Sequence, residues 1–468
     1  MRSIDFAFQT IGRVLAIAGL AFRSAVRSRL LIGMVALLLA MIIGLPATVR
    51  GDGTLAGDVR ILLDYTLGLS LLVIGVAMLW TSCGAVANDM ESGTLWLIMA
   101  KPVRPLELWL GRWFGLLALS AILIGLAGVG TYSLLSLHLH RRAQTTTDAE
   151  RAALNADVLT GRHQVLPEPE DLTAAIDQRL EAYQQRGWDP HVIPRAKVHK
   201  LAEREVLAER SAVAPGGTRA WVFAVPQALP RTPQAALRIH IFTSAESADL
   251  RSGIWRVRAG EGTGTWQTAV LDDHQGVGHL ALPSTLLQGG APLRVQYTNT
   301  GVAGSGKTIL FDLDTPVELL ITESRFSPNL LRTLLVIGCQ VGLLCAVGLA
   351  AGTFFHFPVA MFFASTIVML ALTGGYFMGT GSTDPLPTEV GMGPIWLQQI
   401  SMHVLQGMNA IAGPAVGQAP LEKLTTGVLV SWGQVTTATA LLLGLYGGTL
   451  ALISTWFLHR REFAAHAD

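Results

Sequence analysis

The chain has 468 residues, 50% hydrophobic and only 14% charged, with a mean hydropathy of +0.44 and a formal net charge of +1. Soluble domains carry about 25% charged residues, so a membrane protein is the first expectation. A near-neutral balance offers no global field for nucleic acid, and Cys83, Cys339 and Cys345 all fall in apolar runs, outside any disulfide framework or metal pattern.

In chain order, residues 5–29 interleave apolar positions (Phe6, Ile11, Val14, Leu15, Phe22, Val26) with Arg13, Arg23, Arg27 and Arg29. That pattern suits a helix in the headgroup plane, its basic side toward water and anionic lipid. A cleavable leader ending near Leu45-Pro46-Ala47 is the competing reading, but the basic stretch is long for an n-region. Six spanning helices are expected at about 30–49, 61–87, 106–137, 329–352, 357–380 and 428–458. The fold class expected is an α-helical polytopic membrane protein with an inserted α+β extracytoplasmic domain containing a β-sandwich. Residues 1–137 form its first membrane part, 138–327 the insert and 328–468 the second membrane part.

The insert stands out by charge, with 20 Lys+Arg and 21 Asp+Glu between residues 138 and 327. Residues 146–210 read as helical, with an amphipathic run at 171–186 carrying Leu172, Ile176 and Leu180 in step and another at 195–211. From Thr218 onward, short alternating runs predict strands: WVFAV, LRIHIF, IWRVR, WQTAVL, LRVQY and ILFDL. Asp272-Asp273-His274 reads as a turn, and Trp221, Trp255 and Trp266 as core aromatics rather than sugar platforms. Gly301–Thr308 (GVAGSGKT) matches a P-loop literally, yet a strand-like run follows where a phosphate-binding loop opens a helix, so the match is rejected. No HExxH or G-x-S-x-G pattern occurs, and no hydrolase constellation is expected. Thr383–Lys423 is too short and interrupted to cross, and reads as an outer re-entrant segment at 384–423.

The most informative stretch is Asn88–Arg112, which holds all the formal charge between residues 65 and 137. Asn88–Thr94 is polar, and Leu95–Ala100 is apolar but far shorter than the ~20 residues a crossing needs. Lys101-Pro102-Val103-Arg104-Pro105 then interrupts any helix. A short surface element spanning 88–104 between two crossings follows.

Glu91, Gly93-Thr94, Lys101-Pro102-Val103-Arg104 and Leu110-Gly111-Arg112 resemble the E-x-G-T … P-V-x-R … L-G-K/R signature of type-2 exporter permeases of the ATP-binding cassette (ABC) family. Here Arg104 follows Val103 directly, a departure from that pattern. Residues 20–31 are similar to the family's entry into its first span, and Phe457–Glu462 to its basic C-terminal ending. The resemblance implies a transporter subunit rather than an enzyme, worked by a separate nucleotide-binding subunit that holds ATP and Mg, and a dimer of permeases. It makes Asp89, Glu91, Gly93, Thr94, Lys101, Pro102 and Arg104 the ATPase-coupling residues. Arg23, Arg27, Arg29, Arg112, Arg460 and Arg461 read as cytoplasmic anchors by the positive-inside rule. Spans free of charge from Trp113 to Leu137, Thr333 to Thr383 and Leu424 to His459 exclude an ion or proton relay there. Asp58, Arg60 and Asp64 read as interfacial anchors. The insert departs from the family's usual short loop and points to an extracytoplasmic protein or glycan partner; a membrane-anchored receptor is the rival reading.

Overall fold

The computed structural model describes residues 2–48, 55–94, 103–142, 154, 158–188, 195–226, 234–242, 253–260, 267–269, 272–274, 277–287, 290–300, 308–312, 315–379 and 419–464. The chain divides into a helical unit, Met1–Leu159 with Arg325–Asp468, and a second unit, Thr160–Ser324.

The helical unit is built from α1 (Arg2–Val26), α2 (Arg29–Thr48), α3 (Leu55–Glu91), α4 (Pro105–Arg142), α7 (Phe326–Phe354), α8 (Phe357–Gly379), α9 (Pro420–Thr425), α10 (Trp432–Ala438) and α11 (Gly448–Ala464). A π-helical segment, Thr439–Gly447, runs from α10 into α11. Four helices are long and apolar enough to cross a membrane: Gly57–Glu91, Pro105–Arg141, Phe326–Phe354 and Trp432–Arg460. Parts of α1 and α2 form a pair bent by 66°, and the apolar stretch Phe357–Thr373 of α8 is shorter. The observed count among the described residues is thus four, or five with the bent pair, against the six expected. The outer segment expected at 384–423 lies outside the described residues but for Ala419 and α9.

Because lipid is as apolar as leucine, helices in a membrane associate through close backbone approach and polar contacts. Glycines supply the approach here. Gly111 and Gly115 on α4 face α1, where an added Cβ would lie 2.6 Å from Ile17 Cβ and 2.6 Å from the Ala18 carbonyl. Gly348 and Gly352 do the same for α7 against α3, at 3.0 Å from the Leu79 carbonyl and 3.4 Å from the Ala87 nitrogen. Both are G-x-x-x-G pairs that align on one helix face. Cys83, Cys339 and Cys345 are free and buried in this packing, as the apolar context predicts.

The second unit contains β1 (Thr160–Val165), α5 (Thr173–Gln185), α6 (Arg195–Ser211), β2 (Ala212–Val213), β3 (Thr218–Phe223), β4 (Ala235–Phe242), β5 (Gly253–Ala259), β6 (Gln267–Ala269), β7 (Asp272–His274), β8 (Val277–Leu282), β9 (Leu293–Asn299), β10 (Ile309–Phe311) and β11 (Val317–Arg325). One sheet runs β1-β11-β4-β10-β2, with β8 on β4 and β7 on β8; the other runs β3-β9-β5-β6. Alternating side chains from both fill one core, including Trp221, Trp255, Val295 and Tyr297 from the smaller sheet and Leu237, Ile239, Phe311 and Leu319 from the larger. Trp221 and Trp255 stack at 6.0 Å, while Trp266 lies outside the described residues. The amphipathic helices appear where expected, with Ile176 and Leu180 of α5 packed on Val198, Ala202 and Val206 of α6.

Three expectations change. Thr160–Val165 lies in the stretch read as helical, yet it forms β1. Asp272-Asp273-His274 is not a turn but β7, paired with β8 from Asp272–His279 to His274–Val277. Val317–Arg325 was not among the strands expected, because five consecutive buried residues, Val317–Ile321, erase the period-two pattern. Of the P-loop match only Thr308 is described, and β10 follows it directly.

Tyr297 lies diagonally across from Gly253, and its ring covers the glycine: an added Cβ would sit 2.5 Å from both Cζ and the hydroxyl. Gly253→Ala is therefore expected to destabilise this unit by about 2 kcal/mol through overpacking. The check is the midpoint of its denaturant-induced unfolding, read by near-ultraviolet circular dichroism of the stacked aromatics.

Candidate functional site

The charged stretch singled out by the sequence begins where α3 stops. Ser92 N–H donates to the Asn88 carbonyl at 2.9 Å, Gly93 N–H to the Met90 carbonyl at 3.3 Å, and Gly93 adopts φ +71°. The demand for glycine is conformational, since nothing among the described residues lies within 4 Å of its missing Cβ. Ser92 and Thr94 hydroxyls share a hydrogen bond at 2.8 Å, and Thr94 is exposed. Residues 95–102, with Lys101 and Pro102, lie outside the described residues.

The chain re-enters at Val103-Arg104, and α4 starts at Pro105, the helix position where a missing N–H is harmless. Glu107, in the third helical position, accepts the Arg104 backbone N–H at 3.3 Å, one half of a capping box. Its side chain is only 4% exposed and lies 3.8 Å from the Arg13 guanidinium of α1. One turn further, Arg112 donates to Asp89 of α3 at 2.5 Å, with its own side chain 6% exposed. The pair links the two helices, and removing one partner would strand the other charge in a low dielectric.

Glu91 does not project freely. Its carboxylate accepts the Phe357 backbone N–H at 3.2 Å and lies 3.3 Å from His356 Nδ1, so it caps the first turn of α8 from another helix. Beneath this polar layer Leu108 and Leu458 pack with Ile17, Met90 and Val103, tying α1, α3, α4 and α11 together. Trp113, one residue below Arg112, donates its indole N–H to the Gly342 carbonyl of α7 at 2.9 Å. Its ring fits against Gly447, where a Cβ would fall 2.6 Å away.

Of the residues singled out by sequence, Asp89, Glu91, Arg104 and Arg112 therefore converge on one end of the helical unit. Arg23, Arg27, Arg29 and Arg460 are exposed, with the Arg460 guanidinium 4.0 Å above the Trp456 ring. The Arg461 side chain is outside the described residues. Arg112 departs from its companions, being buried and paired. Arg13 as an ion-pair partner, Glu107 and His356 were missed. Glu107 carried a usable signal, its position two residues after Pro105; His356 carried none, because its partner Glu91 is 265 residues away.

Four helices of spanning length and apolarity define the class: an α-helical membrane protein that carries a unit of helices and two β-sheets. No family model, curated protein or solved structure matches the chain.

Asp89→Ala leaves the Arg112 guanidinium buried without its carboxylate, and should lower stability in detergent by about 2 kcal/mol, below the ~3–5 kcal/mol of a fully buried pair because Asp89 is partly exposed. The paired replacement Asp89→Leu with Arg112→Met should recover most of that loss. Thermal unfolding followed by size-exclusion of the surviving monodisperse fraction measures both.

Proposed function

We propose that the chain is the membrane-spanning subunit of an ATP-driven exporter similar to the type-2 ABC permeases. ATP and Mg are bound by a separate nucleotide-binding subunit, and two permease chains form the working dimer. The cargo is a hydrophobic, lipid-like or glycan molecule, or else the stroke is passed as force to an outer protein. In this reading α2, α3, α4, α7, α8 and the continuous α10–α11 helix make six crossings, and α1 lies along the cytoplasmic face. The β-rich unit is a sandwich held outside the cell membrane, the inner membrane in a two-membrane cell. The ion-paired end of the helical unit is cytoplasmic.

The observation that carries the proposal is the way both ends of the 92–104 connector are fastened. Asp89 and Arg112 join the outgoing and incoming helices at 2.5 Å, and Glu91 couples the same point to α8. A displacement of the connector is then felt by α3, α4 and α8 together, rather than absorbed by loop flexibility. Thr94 and Arg104 are exposed and form the contact with the ATPase, with Lys101 and Pro102 between them in sequence. Asp89 and Glu91 act one step behind, holding the connector to the helices. ATP-driven closure of the ATPase pair presses this element and tilts α3 and α4.

Arg104→Glu is expected to reduce stimulation of the partner ATPase about tenfold, the equivalent of one exposed charge contact worth ~1.4 kcal/mol. Full stimulation by a monodisperse variant counts against the proposal. Single cysteines at Thr94 and at Thr218, in a chain whose native cysteines are buried, provide the topological check. An impermeant thiol reagent should reach Thr218→Cys from outside intact cells and Thr94→Cys only after the membrane is opened. Labelling of both from one side overturns the model.

A second reading, a membrane-anchored binding or scaffold protein, draws support from the smaller sheet. Arg256 on β5 and Arg294 on β9 are exposed, Arg258 lies directly opposite Arg294, and these alternate with buried Trp255, Val257 and Val295. Like charges opposed across a ladder repel, so this face suits an anionic ligand. The ATPase and labelling outcomes separate the two readings.

A further inference from the structure

Toward the opposite end of α3 from Glu91, the helical unit carries an open cleft of about 510 Å³, within the range of small-molecule sites. Its α3 wall is one stripe, Arg60, Asp64, Leu71 and Gly75, and its α7 wall another, Ile337, Gln340, Val341 and Leu344. The fifteen residue steps from Arg60 to Gly75 correspond to ~22 Å of helix axis. The lining is divided along that length. Arg60 and Asp64, with Glu422 and Thr425 of α9, form a polar mouth, and the remainder is an apolar shaft interrupted by Gln340. Gly75 keeps the α3 side bare: the nearest atom to a Cβ at this position is Leu344 Cδ1 at 3.5 Å.

A cavity with a charged mouth and an apolar shaft fits a molecule built the same way. The mouth holds one cation, Arg60, and two carboxylates, Asp64 and Glu422; Asp64 hydrogen-bonds with Thr425, which fixes it at the rim. Asp58 and Lys423 belong to the same helices and do not line the cavity. A purely anionic head would meet two carboxylates for one guanidinium. A purely cationic head would be repelled by Arg60. A head with one phosphate and one ammonium satisfies both, phosphate on Arg60 and ammonium between Asp64 and Glu422.

We propose that this cavity is a binding site for one zwitterionic phospholipid of the phosphatidylethanolamine type, its head in the Arg60–Asp64–Glu422 mouth and one acyl chain along the α3–α7 shaft. The inference names a ligand class for the export reading and takes from it only the membrane setting. Binding is measured without the ATPase, so failure to couple nucleotide hydrolysis and failure to hold lipid are separate results.

The full chain, stripped of lipid in detergent, is titrated with phosphatidylethanolamine, phosphatidylcholine and phosphatidylglycerol of identical chains, and retained lipid is counted by native mass spectrometry. One phosphatidylethanolamine per chain is expected, held about tenfold more tightly than phosphatidylcholine, whose trimethylated nitrogen donates no hydrogen bond, and more tightly than anionic phosphatidylglycerol. Asp64→Asn and Glu422→Gln should each weaken it about tenfold, and Gly75→Leu should block the shaft for all three lipids. If Gly75→Leu does not fold, the exposed Glu422→Gln decides, since that position leaves the bundle intact. Equal retention of the three lipids, preference for phosphatidylglycerol, no retention, or undiminished binding in the carboxylate variants each overturns the proposal.

Discussion

The helical unit depends on backbone approach at glycine. Where helices cross in hydrocarbon, no water is released to drive them together, and contact must come from surfaces that fit. Gly111 and Gly115 let α4 lie on α1, and Gly348 and Gly352 let α7 lie on α3. With those seams closed, polar groups at the bundle end are brought within bonding range. Arg112 follows Gly111 in sequence, so the residue that admits α1 also fixes where the guanidinium meets Asp89. The ion pair rests on the seam.

The connector after α3 is thereby set on a rigid base. Glu91 would otherwise be an exposed acid at a helix C-terminus, where the dipole disfavours a negative charge. Its bond to the Phe357 N–H moves it to the N-terminus of α8, where the dipole favours it. One carboxylate thus relieves an unfavourable placement and satisfies an orphan donor, and it links two segments distant in sequence.

Much of this was readable in the amino-acid order, for reasons that can be located. Long apolar runs between charged ends marked the helices, because hydrocarbon thickness imposes a minimum length. Strands with one face on the core, such as β5 and β9, announced themselves by alternation, and α4 begins at Pro105, one residue before the expected 106. What failed was whatever depended on distant partners. β1 contains Arg162, only 2% exposed, and no local rule assigns a buried arginine to a strand. In β11, Glu318 is buried beside Arg238 of β4, 3.7 Å away, a pairing that only the sheet register creates. The bent α1–α2 pair and the shorter apolar stretch of α8 likewise frustrate a count of crossings from hydropathy, which weighs composition and is blind to a break of a few residues.

The π-helical segment Thr439–Gly447 has a mechanical corollary. Winding at i→i+5 holds more residues per turn than an α-helix, so the segment stores surplus chain inside an otherwise regular span. If one residue of that surplus slips through, everything downstream swivels by about 100° about the helix axis and advances by roughly 1.5 Å. Trp456 and Arg460 would be carried round with it. Such a slip would turn a different side of this helix to its neighbours without unfolding it.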